Sequence, residues 1–359
     1  MVTTSSGAPD PFARMDEIPD DDRGRSGQVH GLRRELLSVS AEPSVNFIHV
    51  LLPHHPYDLT PWGVTSSDTW VPRERPSPGE PDYERYFAEL YAMQAMQIAV
   101  VDQVIGEMIE HLRAAGAWDT GTLVVTSDHG VLTTPPHFSR VVTEESQDEL
   151  LRIPLFIRAP GLVPGEVRDD PATTLDVLPS LIDLLDIETD WEMEGHSLLD
   201  GSEAGYERLL TSDIDDMLDF VAERQAFLPE GSGWTRMLGT GENGDLVGTR
   251  INDYAIGEAS ELAWTFGGAD ALADPATTGG VVPVLMLGEV HGPGVDPPDD
   301  LVVALDDVIS GTLGGWVADG DGWTFSGLLG PEVEGGAREI VAYEVGRDGG
   351  TITLHPLVP

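Results

Sequence analysis

A chain of 359 residues, 40% of them hydrophobic, is long enough to bury a sizeable core and to hold two or three domains. Its 63 acidic residues face 19 basic ones, all of them arginine, and the formal charge of −44 makes a surface that repels nucleic acid and anionic membrane. The absence of cysteine excludes disulfides, thiolate metal sites and a cysteine nucleophile. Such acidity stays soluble in concentrated salt and reads as adaptation to a salty environment or as codon bias, neither of which names a substrate. No run approaches the roughly 18 to 20 apolar residues of a membrane span. Residues 1–10 lack the basic and apolar regions of a signal peptide.

In chain order, residues 1–43 are polar, with an acidic run at Asp20, Asp21 and Asp22 and a short helical candidate near Leu32–Leu37. Val45–Leu52 is an apolar, β-branched run that predicts a buried strand. It ends in Pro53, His54, His55, Pro56 and Tyr57, followed by a Pro-rich loop to Pro81. Residues 82–115 predict a long helix, with Ile98, Val101, Ile105, Met108 and Leu112 as its apolar stripe and Gly116 as its stop. Thr122–Gly130 reads as a second strand that breaks at Ser127, Asp128, His129 and Gly130. A carboxylate beside an imidazole at a strand's carboxyl end suits a divalent cation. The next loop carries His137 and Arg140. Ile153–Arg158 predicts a third strand, and a helix capped by Thr173 or Thr174 runs to Asp186, with Leu175, Leu178, Leu181, Ile182 and Leu185 on its buried face. Strand, helix, strand, loop, strand, helix is the cadence of a covered, mostly parallel sheet.

Beyond Asp200 the composition shifts. Residues 201–280 are acidic and Gly-rich, with a helical candidate near Asp213–Phe227. From Val281 the pattern is short strands between Gly, Pro and Asp turns: Val281–Val290, Leu301–Leu305, Trp323–Leu328, Glu339–Val345 and Thr351–Leu354. That spacing predicts a small β-sandwich. The domain reading is a polar segment at 1–43, an α/β domain at 44–200, a linking region at 201–280 and a small all-β domain at 281–359.

Taken singly, each His or Asp above is a weak signal. Together and in this order, the residues Phe47 to Tyr57, the helix through Val101-Asp102-Gln103-Val104-Ile105-Gly106, and Leu123 to Gly130 form a constellation. Arg152 to Ile157 with Pro160-Gly161, Asp176-Val177-Leu178-Pro179-Ser180-Leu181, and Gly195-His196-Ser197-Leu198 complete it. Over roughly residues 30–200 the chain resembles the sulfatase branch of the alkaline phosphatase superfamily. The later segment, with Gly244-Asp245-Leu246-Val247-Gly248 and the β-rich tail, is similar to the appended region of bacterial sulfatase-like proteins that carry membrane spans upstream.

The resemblance implies an α/β fold with a mostly parallel sheet covered by helices, alkaline-phosphatase-like and truncated at its N-terminus, followed by the small all-β domain. It implies hydrolysis of a sulfate ester, with phosphate-ester hydrolysis or phosphotransfer as the superfamily alternative. Asp128 and His129 map onto the metal pair, His54 onto the histidine that contacts the ester oxygens or assists the leaving group, and Arg140, with His137 as rival, onto the residue that holds the anion. The implied cofactor is a divalent metal, Ca first, with Mn, Mg or Zn as alternatives. The implied partner is a small-molecule or glycan sulfate or phosphate ester.

One part of the family pattern is absent. The chain contains no Cys/Ser-x-Pro-x-Arg segment to carry a nucleophile, and the segment before Val45, about 43 residues and polar in character, is too short for that half of the sheet. The expectation is therefore the C-terminal half of a catalytic domain, completed by a missing N-terminal half or by a separate chain, with a non-catalytic binding or assembly module as the other outcome. An extracytoplasmic, membrane-anchored parent protein is expected from the resemblance alone.

Overall fold

The computed structural model describes residues 25–60, 63, 76–80, 83–132, 142–143, 146–168, 172–199, 238–239, 241–267, 285–293, 296–299, 301–329 and 339–358. The chain divides into two compact units, one of residues 1–39, 44–108 and 226–359, the other of residues 40–43 and 109–225. No helix among the described residues is long and apolar enough to cross a membrane.

In the first unit, helix α1 (Arg25–Leu36) buries Val29, Leu32 and Leu36. Its Arg33 forks onto Glu107 with bonds of 2.9 and 3.0 Å, the bidentate geometry a guanidinium makes with a carboxylate. Glu107 lies on α2 (Tyr83–Ala114), a 32-residue helix that fulfils the expected length and position. The stripe that α2 buries differs from the expected one. Met93, Met96, Val100, Val104 and Met108 are buried, whereas Ile98 is 48% exposed and Val101 and Ile105 are half-buried. The helix is apolar on more than one face, so periodicity alone does not select the side that packs.

The sheet of this unit decides which face it is. Strands β3 (Ala255–Ile256), β4 (Ala263–Phe266), β5 (Leu285–His291), β6 (Leu301–Leu305), β7 (Val308–Asp319), β8 (Gly322–Leu328), β9 (Ile340–Asp348) and β10 (Thr351–Pro356) form one sheet in the order β3-β10-β9-β6-β7-β8-β5-β4. Only β3 and β10 run parallel; the remaining pairs are antiparallel. Past the end of β10, Val358 bridges Ala263 of β4, with Trp264 N–H donating to Val358 O at 3.0 Å and Val358 N–H to Leu262 O at 3.2 Å. The sheet thus curls until its far edges meet, which removes exposed strand edges there.

Strand β6, Leu-Val-Val-Ala-Leu, is buried along its whole length. Val302 and Ala304 face Leu90, Ala92, Met93 and Met96 of α2 together with Tyr57, Leu246 and Leu354. Leu301, Val303 and Leu305 face the other way, into a cluster with Trp264, Met286, Trp316 and Phe325. A continuous apolar run is what two covered faces require. One ionic pair is buried between helix and sheet. Arg85 Nε donates to Glu89 Oε1 at 3.1 Å and to Ser326 O at 3.2 Å, and Arg85 Nη2 to Thr312 O at 2.6 Å and Thr312 Oγ1 at 3.0 Å.

The strands expected after residue 281 are present, and β6 matches its expected bounds. Three others were not expected. Strand β7 carries three glycines and reads as a loop, and β3 and β4 lie before residue 281 yet belong to the same sheet. The strand expected at Val45–Leu52 does not form: no residue of that run enters a described ladder, and Val45 and Phe47 are 90% and 61% exposed.

In the second unit, β1 (Leu123–Thr126) and β2 (Leu155–Arg158) pair antiparallel, Leu123 opposite Arg158 and Thr126 opposite Leu155. This corrects the expectation of a mostly parallel sheet, since the described residues place no helix-bearing crossover between neighbouring parallel strands here. Arg113 and Arg158 hold their guanidinium carbons 5.0 and 4.4 Å from the centre of the Trp118 ring, and Arg158 Nη1 donates to Gly121 O at 2.7 Å. Short helix α3 (Gln147–Leu151) follows β1, and α4 (Val177–Leu184) follows a 3-10 turn at Thr174–Asp176. Thr173 caps that turn as expected, its hydroxyl accepting from Leu175 N–H and the Asp176 carboxylate accepting from Thr173 N–H. The expected buried face of α4 is not the observed one: Leu175, Leu178 and Leu185 are about half exposed, and Asp176, Pro179 and Ser180 are buried.

Candidate functional site

Asp128 and His129 stand directly beyond the carboxyl end of β1, where the sequence placed them. The turn that holds them is built from its own polar atoms. Ser127 Oγ donates to His129 O at 2.8 Å, His129 N–H donates to Asp128 Oδ1 at 3.0 Å, and Thr126 Oγ1 reaches across to Pro154 O at 2.9 Å. Gly130 closes the turn by donating to Leu150 O at 2.9 Å, and a side chain there would run into the carbonyl oxygen of Glu149. Glycine is required because the backbone of residues 149–150 passes so close.

The imidazole of His129 has a defined tautomer. Its Nδ1 lies 2.7 Å from Gly130 O, and because a carbonyl can only accept, Nδ1 carries the proton and Nε2 the lone pair in the neutral ring. That Nε2 is 3.8 Å from Asp128 Oδ2. Two electron-pair donors at this separation, one held by its own backbone and the other by a carbonyl, can both reach a single cation at bonding distances of about 2.0–2.5 Å. Asp128 and His129 fit a divalent metal as two members of a ligand set. Among the described residues no group of three His, Asp or Glu side chains is gathered.

His54 lies on a tight turn in the first unit, while Asp128 and His129 lie in the second. His54 N–H donates to Leu51 O at 2.7 Å, and its Nδ1 sits 2.5 Å from His55 O, which assigns the Nδ1 proton by the same reasoning. The turn is anchored from below. Tyr57, Leu59 and Thr60 are buried, Tyr57 within the core shared by α2 and the sheet, and burial pushes its phenol up to about 12. Gln97 of α2, fully buried, donates to Pro53 O and His54 O, both at 3.2 Å. Its Oε1 is buried with no partner. His137 and Arg140 lie outside the described residues.

Sequence reasoning passed over one feature. Gln97 interrupts the buried stripe between Met96 and Val100, and a polar residue in such a stripe is the signal that would have found it. Asp176 is fully buried and accepts from His196 N–H and His196 Nδ1, each at 3.0 Å, besides its bonds to Thr173. Ser180 Oγ, which donates to Asp176 O, accepts from Leu198 N–H at 2.9 Å, so residues 195–198 are tied to α4.

Residues 30–187 match the family model described as Sulfatase. Over this segment the chain is similar to sulfatases. The extracellular sulfatase SULF-1 homolog of Drosophila melanogaster is 26% identical over 194 residues, 49% of this chain and 16% of that protein. The ulvan-active sulfatase of Formosa agariphila is 27% identical over 161 residues, 44% of this chain and 31% of that protein. The multifunctional alkaline phosphatase superfamily protein PehA of Trinickia caryophylli is 30% identical over 104 residues, 28% of this chain and 20% of that protein. The chain therefore spans under a third of the length of each. The matched segment includes His54, Asp128, His129, His137 and Arg140, and it ends short of His196.

Proposed function

We propose that the matched segment belongs to a metal-assisted hydrolase that cleaves a sulfate ester of a small molecule or glycan. The observation that carries this reading is the pair Asp128 Oδ2 and His129 Nε2, 3.8 Å apart beyond β1, with the imidazole proton parked on the far nitrogen. A divalent cation there would stabilise negative charge developing on the ester oxygens. An imidazole beside a carboxylate suits Mn or Zn as well as Ca or Mg. In this reading His54, doubly protonated with its Nδ1–H held by the His55 carbonyl, contacts the ester oxygens or protonates the leaving group from Nε2. Arg140 holds the anion through two parallel N–H bonds, with His137 as the rival for that role.

The sequence supplies no Cys/Ser-x-Pro-x-Arg nucleophile. In this reading the nucleophile comes from outside these 359 residues, from the missing N-terminal half or a separate chain, and the 359 residues alone turn over esters at no more than trace rates. Phosphate-ester hydrolysis or phosphotransfer is the second reading, favoured by the likeness to a multifunctional alkaline phosphatase superfamily protein. The likeness to a protein named an extracellular sulfatase supports a place outside the cytoplasm.

Calorimetric titration of the purified chain with Ca, Mn, Mg and Zn tests the site. One divalent ion should bind, and Asp128→Ala and His129→Ala should each weaken it at least about tenfold. Absence of binding, or binding untouched by both variants, would overturn the metal assignment. Robust aryl sulfate or phosphate ester turnover by the chain alone, lost in Asp128→Ala, would overturn the need for a completing polypeptide.

A further inference from the structure

The two sides of α4 are the reverse of those of an ordinary surface helix. Asp176, at its start, and Ser180 are fully buried, whereas Leu175, Leu178 and Leu185 are 50%, 48% and 47% exposed and Ile182 is partly so. Bonds fix this orientation. Asp176 accepts from Thr173 N–H at 2.7 Å and from His196 N–H at 3.0 Å. Ser180 Oγ donates to Asp176 O at 2.7 Å and accepts from Leu198 N–H at 2.9 Å. The polar side of the helix thus holds residues 195–199, and its apolar side is turned to solvent. Leu175, Leu178, Ile182 and Leu185 recur at steps of three, four and three, one stripe roughly 15 Å long. At its end Asp186 takes φ of +51° and Ile187 N–H donates to Ile182 O at 3.0 Å, a C-terminal turn that brings Ile187, 50% exposed, back towards the stripe. Apolar anchors at this spacing are what one helix offers to another, and a contiguous exposed patch of them marks an interaction site.

The charge beside the stripe selects the partner. At Asp186 the chain leaves the C-terminal end of α4, and at His196 it is bonded to Asp176 at the other end, so residues 186–194 run alongside the helix. Five of those nine residues are acidic, namely Asp186, Glu188, Asp190, Glu192 and Glu194, against 63 of 359 in the whole chain, and all five are exposed. The sequence has no arginine between Arg168 and Arg208 and no lysine anywhere, and Arg168 itself donates to Leu198 O at 2.6 Å, on the buried side of α4. A second copy of this face would set like charges against each other, and an anionic membrane surface would be repelled. We propose that the outer face of α4 docks a basic amphipathic helix of a partner protein, with its apolar side on Leu178, Ile182 and Leu185 and its arginines or lysines on the carboxylates of residues 186–194. The surface does not involve Asp128 or His129 and does not depend on the metal reading.

The test is calorimetric titration of the full chain, in about 0.15 M salt, with three synthetic peptides. The first is a Leu/Arg helix with its leucines in a single stripe at i, i+3, i+4 and i+7, the second a scramble of the same composition, the third the striped peptide with Glu in place of Arg. The striped basic peptide should bind at about 10 μM or tighter, the scramble at least about tenfold more weakly, and the acidic peptide should give no heat. Leu178→Ser with Leu185→Ser should weaken the striped peptide at least about tenfold, the loss expected when two apolar anchors go. Glu188→Gln with Glu192→Gln should weaken it about threefold and lessen its dependence on salt. All four positions are exposed, so both variants keep the fold, which circular dichroism checks. Asp128→Ala should leave the titration as it is, so a failed metal site and a failed docking face are told apart. No binding of the striped basic peptide, equal binding of the scramble, or binding that survives either pair of substitutions would overturn the proposal. So would a wild-type dimer in sedimentation that Leu178→Ser with Leu185→Ser dissociates, which would give the face to a second copy.

Discussion

Gln97 gives both of its amide protons to the turn that carries His54, one to Pro53 O and one to His54 O. A fully buried amide in an otherwise apolar stretch of helix is tolerated only when its hydrogen bonds are made. Here the donors are satisfied and Oε1 is not.

Gln97→Met should therefore cost only about 1 kcal/mol, because two modest hydrogen bonds are lost while an orphaned acceptor is removed. The melting temperature should fall by about 2–4 °C. The larger effect should be local, with amide exchange at residues 52–57 quickening well beyond that in β6. Unchanged exchange there would show that the amide does not hold the turn.

Arg85 and Glu89 make a sharper case. Arg85→Met would remove the guanidinium that bonds the buried Glu89 carboxylate, Thr312 O and Ser326 O. Denaturant unfolding should show a loss of about 3–5 kcal/mol. The double variant Arg85→Met with Glu89→Leu should recover a large part of it, since the buried carboxylate is removed together with its guanidinium. Equal losses in the single and double variants would contradict this account.

Tyr57 predicts the alkaline limb of stability. Its phenol ionises near 12 in the folded chain against 10 in the unfolded one, because burial disfavours the phenolate. The raised value stabilises the fold fully below pH 10 and is lost as the pH climbs towards 12, by about 1.4 kcal/mol per unit. Tyr57→Phe should flatten that part of the curve. Burial, and then the Glu339 charge, also raise Tyr343, so some slope should persist in the variant. A phenolate absorbance titration checks the assignment directly.

Asp176→Ala should free residues 195–199. The change removes the acceptor for Thr173 N–H and for two nitrogens of His196, at a cost of about 3 kcal/mol. Limited proteolysis should cut this segment first, while Asp183→Ala, which removes only the exposed bond to Ser197 Oγ, should leave it resistant.

Where local pattern and tertiary demand coincide, the sequence was legible. The β6 run is apolar because both its faces are covered, and Thr173, one of the two threonines ahead of the apolar stripe, caps the turn before α4. The same is true of Asp128 and His129, whose place after β1 follows from the abrupt change of Val124-Val125 to polar residues. Patterns failed where burial depends on a partner distant in sequence. Val45–Leu52 looks like a buried strand, yet apolar content cannot supply the neighbouring strand that a ladder needs. Strand β7 was missed for the opposite reason: Gly311, Gly314 and Gly315 read as turns, but a side chain at Gly311 would run into Leu328 O, so close strand approach is what selects glycine there. The face of α2 that packs is chosen by Val302 and Ala304, roughly 200 residues further along the chain, which no local window can see.

The bridge between Ala263 and Val358 has a bearing on biosynthesis. A ribosome must deliver residues 351–358 before β9, β3 and β4 all have their neighbours, and until then Met93 and Met96 of α2 await much of the surface that covers them. The first unit should consequently acquire its native form only after translation of this region, leaving a nascent chain with apolar helix and strand segments that a chaperone would recognise.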